Sequence, residues 1–181
     1  MTKRNKNIVK KKSKTIQFIT IILVIGLLLY LAFPNFIINN EDEKTTVKAY
    51  TSIDFVKNGE LTFLTKTDEY ISRIDIEIAE DDNSRSNGLM YRDKMKKDQG
   101  MLFLFPRESM QSFWMKNTLI SLDLIFVNIK NEIVTIHKDA VPFDESHYRS
   151  TKPAQFVVEV NAGYTDSLGI TENDKIVWRR N

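Results

Sequence analysis

Hydrophobic positions divide the chain into one uninterrupted apolar segment near the N-terminus and a series of short runs that follow it. The uninterrupted segment is Thr15 to Phe33, which carries no charge. A helix rises about 1.5 Å per residue, so the stretch from Ile16 to Phe33 would reach roughly 27 Å, close to the thickness of the hydrocarbon layer of a membrane. The pattern predicts a transmembrane anchor over residues 15–33.

Short runs of alternating or continuous apolar residues begin near residue 50 and predict strands. Asn58-Gly59 lies between two alternating runs, which is a strong signal for a hairpin. A strand is expected from Ile74 onward, and a buried strand in the run from Gly100 is expected to stop at Pro106. The other predicted strands occupy residues 111–117, 122–128, 132–138, 153–160 and the end of the segment 172–180.

Two segments predict short helices between these strands. The first follows an Asp or Asn cap within residues 81–95, and the second begins near Asn161 as N-cap and ends at Gly169. The fold class predicted is α+β and β-rich, with a barrel-like sheet of about eight strands, two short helices and one N-terminal transmembrane helix. The expected organisation is a basic tail over 1–14, the anchor over 15–33, a linker over 34–49 and one domain over 50–181.

Charge is distributed unevenly along the chain. Residues 1–14 hold seven of the 26 basic residues and no acidic one, so the remaining 19 basic residues face 24 acidic ones. The basic tail predicts a cytoplasmic N-terminus and a single-pass protein of the cell membrane whose C-terminal domain is extracytoplasmic. A cleaved signal peptide is the alternative, although Ala32-Phe33-Pro34 is a poor cleavage site. The acidic remainder argues against a nucleic-acid partner.

The sequence contains few residues or motifs that are typical of catalytic or metal sites. The chain has no cysteine, which excludes disulfides and thiolate sites, and its two histidines, His137 and His147, lie ten residues apart. That spacing does not suit a helical metal pair, so neither a metal nor a cofactor is expected. Phosphate-binding glycine loops and the motifs of common hydrolases are absent from the sequence.

Two charges stand inside the apolar stretch SFWMKNTLISLDLIF, residues 112–126. If 112–117 and 122–127 form a hairpin, Lys116 lies opposite Asp123 on one face, beside Trp114. The two charges would then neutralise each other at the rim of the core, or form the polar floor of a pocket that includes Asn117. In both cases, removing one partner of a buried pair would strongly lower the stability of the fold.

Two arginines predict an anion site. On a helix, Arg85, Gly88 and Arg92 would share one face, and two guanidinium groups with a glycine between them leave room for a carboxylate or phosphate. The alternative is a pair of ordinary surface arginines bound to acids such as Glu80, Asp81 and Asp93.

A general base would require His137 close to Asp123 or Glu159 in space. The simpler interpretation of His137, at the end of a strand, is a hydrogen bond to a loop carbonyl. Glu159 and Asn161 share one strand face, so Glu159 either contacts solvent or points into the same polar site.

Four blocks of the sequence resemble the domain of unknown function 192 family over residues 74–178. They are SNGLMYRDKMKKDQGMLFLFP, SFWMKNTLISLDLIFVN, IVTIHKDAVPF and PAQFVVEVNAGYTDSLGI. The chain departs from the family pattern at Ser121, where proline is usual, and at Asn173, where glycine is usual. The resemblance implies one compact β-rich domain in a small secreted or membrane-tethered protein, and it implies no particular reaction or ligand. The matching positions include Arg85, Gly88, Leu89, Met90, Arg92, 100–103, 113–118, Asp123, His137, Pro142, Asn161, Ala162, Gly163 and Gly169.

Three functions remain open at the level of sequence. The first is a membrane-tethered module of the cell envelope that binds a small anion or a partner protein. The second is an envelope hydrolase with His137 as base and Asp123 orienting it, and the third is a structural or assembly factor. The candidate ligand-binding residues are Arg85, Arg92, Trp114, Lys116, Asn117, Asp123, His137 and Asn161.

Overall fold

The structure is a computed structural model that describes residues 16–28 and 53–181. Residues 16–28 are helical and are called α1 here. The predicted anchor 15–33 continues beyond α1 into residues that lie outside the described part, as do the predicted tail 1–14 and linker 34–49. In the described part of the chain, no helix is both long enough and apolar enough to cross a membrane.

Residues 53–181 contain nine strands and two short helices, and they belong to one compact unit, Tyr50–Asn181. The prediction of a β-rich α+β fold is confirmed. The elements are β1 Gly59–Leu64, β2 Tyr70–Ala79, α2 Asp82–Asn87, β3 Gln99–Ser109, β4 Ser112–Phe113, β5 Leu122–Val127, β6 Ile133–Ala140, β7 Tyr148–Arg149, β8 Ala154–Asn161, α3 Tyr164–Leu168 and β9 Lys175–Arg180.

Seven of the strands form one sheet in the order β6-β5-β8-β3-β2-β1-β9, and β4 pairs with β7 in a small separate ladder. Only β2 and β3 run parallel, because α2 forms the crossover between them. The sheet is not closed into the barrel that the sequence predicts. Its edge strands β6 and β9 meet at one end, through the bridge Glu132–Lys175 and three neighbouring backbone hydrogen bonds. These run from Ile133 N–H to the Asp174 carbonyl, from Ile176 N–H to the Asn131 carbonyl and from Asn173 N–H to the Ile133 carbonyl.

The alternation of side chains along β8 sorts the core into two clusters. Val158 and Val160 belong to the cluster that includes Leu61, Phe63 and Ile76. Val157 belongs to a second cluster, which packs Phe103 and Phe126 below α2. Each fully buried side chain of this size contributes about 1.5–3 kcal/mol relative to exposure. Glu159, two residues after Val157, therefore points into the second apolar cluster.

The hairpin predicted at Asn58-Gly59 does not form. Strand β1 begins at Gly59 and pairs on one side with β2 and on the other with β9. A Cβ at Gly59 would lie 2.3 Å from the Arg179 carbonyl oxygen. This glycine is required because β9 approaches the backbone closely, and the turn signal in the sequence has that other cause.

The predicted end of a strand at Pro106 is wrong. The hairpin predicted from residues 112–117 and 122–127 does not form either. Strand β3 continues through Pro106 to Ser109, in a stretch where its pairing with β8 is irregular. Strand β4 ends at Phe113, and the chain then turns at Lys116 and Asn117, where Asn117 adopts a left-handed conformation with φ 55°. Strand β5 pairs with β6 and β8 instead.

Candidate functional site

A cavity of about 500 Å³ lies between α2, the turn after it, β3, β4 and β8. Four aromatic side chains, Phe103, Phe105, Phe113 and Trp114, form one part of its wall, beside Leu89 and Met90, and most of the remaining lining residues carry polar side chains. The ring of Phe113 packs edge-on against Phe103, Phe105 and Phe126, with centroid distances of 5.0, 6.2 and 5.7 Å. These perpendicular contacts fix the rings in place, so this part of the wall is rigid and apolar.

Trp114 and His147 form the rim of this cavity. Their rings are nearly parallel, with centroids 6.4 Å apart, and Trp114 is 44% exposed. Ser112 Oγ lies 3.1 Å from His147 Nδ1. The rim thus offers a flat aromatic surface beside a small polar pair.

Glu159 is the ionisable side chain buried in the cavity. It lies on β8 between Met101 of β3 and Leu124 of β5 and is only 5% exposed. In the described residues its carboxyl group has no hydrogen-bond partner. A Cβ placed at Gly88 would lie 3.2 Å from Phe103 Cζ and 4.0 Å from Glu159 Oε2, so the glycine allows the end of α2 to approach the Phe103 ring, with the Glu159 carboxyl group nearby. Burial raises the pKa of Glu159 to about 8.

Arg85 lines the same cavity from α2. Its guanidinium donates to the Leu104 carbonyl at 2.8 Å, to the Glu80 carbonyl and to Asp82 at 2.5 Å, and it lies over the Phe105 ring at 5.5 Å. Asp82 is 98% exposed. Three of the guanidinium's donors are therefore occupied, and its charge is offset by a surface carboxylate.

Arg92 does not join Arg85. Helix α2 ends at Asn87, so the helical spacing that would place both arginines on one face is not maintained. Arg92 forms a buried ion pair with Glu77, whose carboxylate also accepts from Val56 N–H at 2.6 Å. Its Nε is buried without a partner among the described residues. The convergence of two arginines on one anion, predicted from the sequence, is wrong.

The prediction that Lys116 and Asp123 form an ion pair is also wrong. Lys116 Nζ lies 3.8 Å from Glu145 Oε2 and 5.2 Å from the centroid of the Trp114 ring. Asp123 is fully buried and accepts four hydrogen bonds. The donors are Asp139 N–H at 3.0 Å, Gly163 N–H at 3.2 Å, Thr165 N–H at 2.9 Å and the Thr165 hydroxyl at 2.7 Å.

Asp123 thereby caps α3 from a distant strand. The residue at the N-cap position of α3 is Gly163, which has no side chain to cap the helix, rather than the predicted Asn161. Asn161 instead donates to the Met95 and Lys96 carbonyls. The predicted C-terminal stop at Gly169 is confirmed, with φ 68°.

His137 and Asp123 are not brought together. His137 Nε2 donates to the Arg149 carbonyl at 2.8 Å, and the ring packs between Phe126 and Tyr148. The bond to a backbone carbonyl agrees with the simpler interpretation, but the carbonyl belongs to strand β7 rather than to a loop, and His137 lies within β6 rather than at a strand end. In the described residues, no group of three or more acidic or histidine side chains is placed to hold a metal ion.

Of the predicted ligand-binding residues, Arg85 and Trp114 line the cavity. Asn117 lies behind it, with Nδ2 3.9 Å from the Met90 sulfur. Sequence reasoning missed His147, Ser112 and Phe113 as site residues. Glu159 was left open between solvent and a polar site, and its position among Val157, Val158 and Val160 was the signal that could have identified it.

Known proteins resemble parts of this chain in sequence and in fold. The family model DUF192, described as "Uncharacterized ACR", matches residues 63–178. A UPF0127 protein of Pyrococcus furiosus is 27% identical over 113 residues, which cover 60% of this chain and 90% of that protein. A candidate transcription regulator from Sinorhizobium meliloti 1021 has a structure with TM-score 0.65 and 35% identity, covering 69% of this chain and 98% of that one. The structure of a protein of unknown function from Novosphingobium aromaticivorans has a TM-score of 0.62 and 34% sequence identity. The match covers 66% of this chain and 84% of that one.

Proposed function

This chain belongs to the DUF192 family, and we propose that its domain is a binding module for a small organic molecule with a flat, apolar body. The observation that carries this proposal is the aromatic cavity of about 500 Å³ with one buried, unpartnered carboxyl group. Pockets for small ligands are concave and mostly apolar, with a few polar groups that fix orientation. This cavity has both properties.

The geometry favours this class of ligand over the small anion expected from the arginine pair. Arg92 is committed to Glu77, and Arg85 already donates to Asp82 and two carbonyls. An anion at Arg85 would have to displace Asp82 and would share the cavity with Glu159. The apolar part of a ligand would displace no charged group, since it would contact Phe103, Phe113 and Trp114 in the cavity.

We expect 2-phenylethanol to change the fluorescence of Trp114 in a saturable way, since the indole lines the cavity. The chain has two tryptophans, so Trp178→Phe leaves Trp114 as the single reporter. Ser86 is an exposed cavity residue on α2. Ser86→Phe should fill part of the space and weaken binding by roughly tenfold or more.

The matched control is Asn83→Phe, which places the same ring on α2 at an exposed position outside the cavity lining. It should leave the affinity unchanged. Absence of a saturable signal, or equal weakening by both variants, would contradict the proposal.

The proposal includes a membrane tether over residues 15–33. Supporting it are the uncharged stretch from Ile16 to Phe33 and the seven basic residues before it, which favour a cytoplasmic N-terminus and an extracytoplasmic domain. We expect the full chain to sediment with membranes and to resist alkaline carbonate, and an added protease to reach residues 50–181 in intact spheroplasts. Recovery of the full chain in the soluble fraction would overturn the tether without bearing on the cavity.

A further inference from the structure

Among the described residues around the cavity, Glu159 is the ionisable group without a charged or hydrogen-bonding partner. Arg85 is offset by Asp82 on α2. Glu77, which lies on β2 on the same face of the sheet as Glu159 with Met101 between them, is offset by Arg92. His147 at the rim lies within hydrogen-bond distance of Ser112. The other residues of β3 and β5 that flank Glu159 are apolar, Met101 and Leu124.

We propose that Glu159 binds the ammonium group of a small primary amine whose apolar body lies against Phe103 and Phe113. This inference rests on the proposed function and specifies the chemical class of the ligand. A carboxylate buried without a donor is costly, and an ammonium group supplies both the opposite charge and three donors. The position of the carboxyl group at the inner end of an aromatic cavity gives the amine a single orientation.

The aromatic walls support a cation in the same place. Ammonium groups are attracted to the faces of aromatic rings, and the attraction grows when water is excluded. An anionic ligand would face the Glu159 carboxyl group, and a neutral ligand would gain only a hydrogen bond. The three charge states therefore have distinct expected affinities, which makes the inference testable with molecules of one shape.

Proton exchange accompanies binding in this scheme. Burial raises the pKa of Glu159 to about 8, so the free cavity holds a proton on this carboxyl group at neutral pH. An incoming ammonium ion displaces that proton to solvent, and one carboxylate–ammonium pair forms. The apparent affinity for the amine should rise by up to about tenfold per pH unit between pH 6 and 8 and then level off.

The test uses the full-length chain carrying Trp178→Phe, in detergent micelles, and three probes of similar size. The probes are phenethylamine, 2-phenylethanol and 3-phenylpropionate, titrated against Trp114 fluorescence from pH 6 to 9. An alkyl amine, like lysine with a pKa of about 10.4, remains protonated throughout this range. At pH 8 phenethylamine should bind roughly tenfold or more tightly than 2-phenylethanol, and 3-phenylpropionate most weakly.

Two variants assign the preference to the carboxyl group. Glu159→Gln keeps the shape and should remove both the amine preference and its pH dependence while 2-phenylethanol still binds. Glu159→Met gives the same test if the buried amide impairs folding. Glu172→Gln removes an exposed carboxylate outside the cavity and should change neither.

The outcomes separate the two proposals. If 2-phenylethanol or 3-phenylpropionate binds as tightly as phenethylamine at pH 8, where the amine preference should be fully developed, the amine inference is overturned and the binding module stands. A preference for the amine that persists in Glu159→Gln also overturns the inference. If none of the three probes binds, both proposals fail together.

Discussion

Replacing Asp123 by alanine is expected to lower the free energy of unfolding by about 3–5 kcal/mol. The carboxylate is fully buried and accepts from Asp139, Gly163 and Thr165, so its removal leaves four donors without an acceptor. It also removes the cap of α3, whose N-cap residue is a glycine. Urea denaturation of the variant and the wild-type chain measures the difference.

Lys116→Ala is the control for this prediction. Lys116 pairs with Glu145 at 3.8 Å, and both side chains are largely exposed, at 42% and 63%. Such a pair contributes about 0–1 kcal/mol, so the variant should unfold close to the wild-type chain. Equal losses in the two variants would mean that Asp123 does not hold α3.

The second large effect is a dependence of stability on pH that Glu159 causes. The pKa of this carboxyl group is about 8 in the folded protein, against an ordinary value of 4.5. Between these values the folded chain binds more protons than the unfolded chain. The stabilisation from the protonated group is therefore complete below pH 4.5 and is lost as pH rises through 8, by up to about 1.4 kcal/mol per pH unit.

Glu159→Gln isolates this contribution, because the amide does not titrate. The unfolding free energy of the wild-type chain minus that of the variant should fall steadily from pH 5 to pH 8 and flatten above it. Glu172→Gln, with an exposed carboxylate, should leave the wild-type profile unchanged. A flat difference between wild type and Glu159→Gln would show that the carboxyl group is ionised or solvated in the fold.

Local pattern was sufficient to predict most elements of the fold. Apolar runs placed β5, β6, β8 and β9 within a few residues of their observed positions, and Gly169 marked the end of α3. These features depend on side-chain alternation and backbone conformation, which a short window of sequence contains. The same window could not show that Gly59 serves a close approach by β9 rather than a turn.

Strand neighbours were harder to predict, because they depend on contacts distant in sequence. The Lys116–Asp123 hairpin requires consecutive strands to pair, whereas β4 ends at Phe113 and β5 pairs with β6 and β8. Asp123 then meets α3 about 40 positions later in the chain. No local signal distinguishes a carboxylate that pairs with a lysine from one that caps a remote helix.

The candidate site shows the same limit. The sequence predicts Trp114 and Arg85 as site residues, Trp114 from its place beside two charges in an apolar stretch and Arg85 from a helix face shared with Arg92. Both line the cavity, although that pairing of arginines does not occur. The orientation of Glu159 depends on α2 and Gly88 covering that end of the sheet, which the order of strands determines. Its buried, unpartnered state therefore follows from the tertiary structure.

The central claim is that the buried Glu159 carboxyl group receives a cationic group in the aromatic cavity. The most direct measurement follows the ¹³C signal of this carboxyl group at pH 7, in glutamate-labelled chain assigned by comparison with Glu159→Gln. The signal should stand at the protonated position in the free chain and move to the ionised position as phenethylamine is added. A carboxyl signal that is already ionised in the free chain, or that does not move with saturating amine, would contradict the claim.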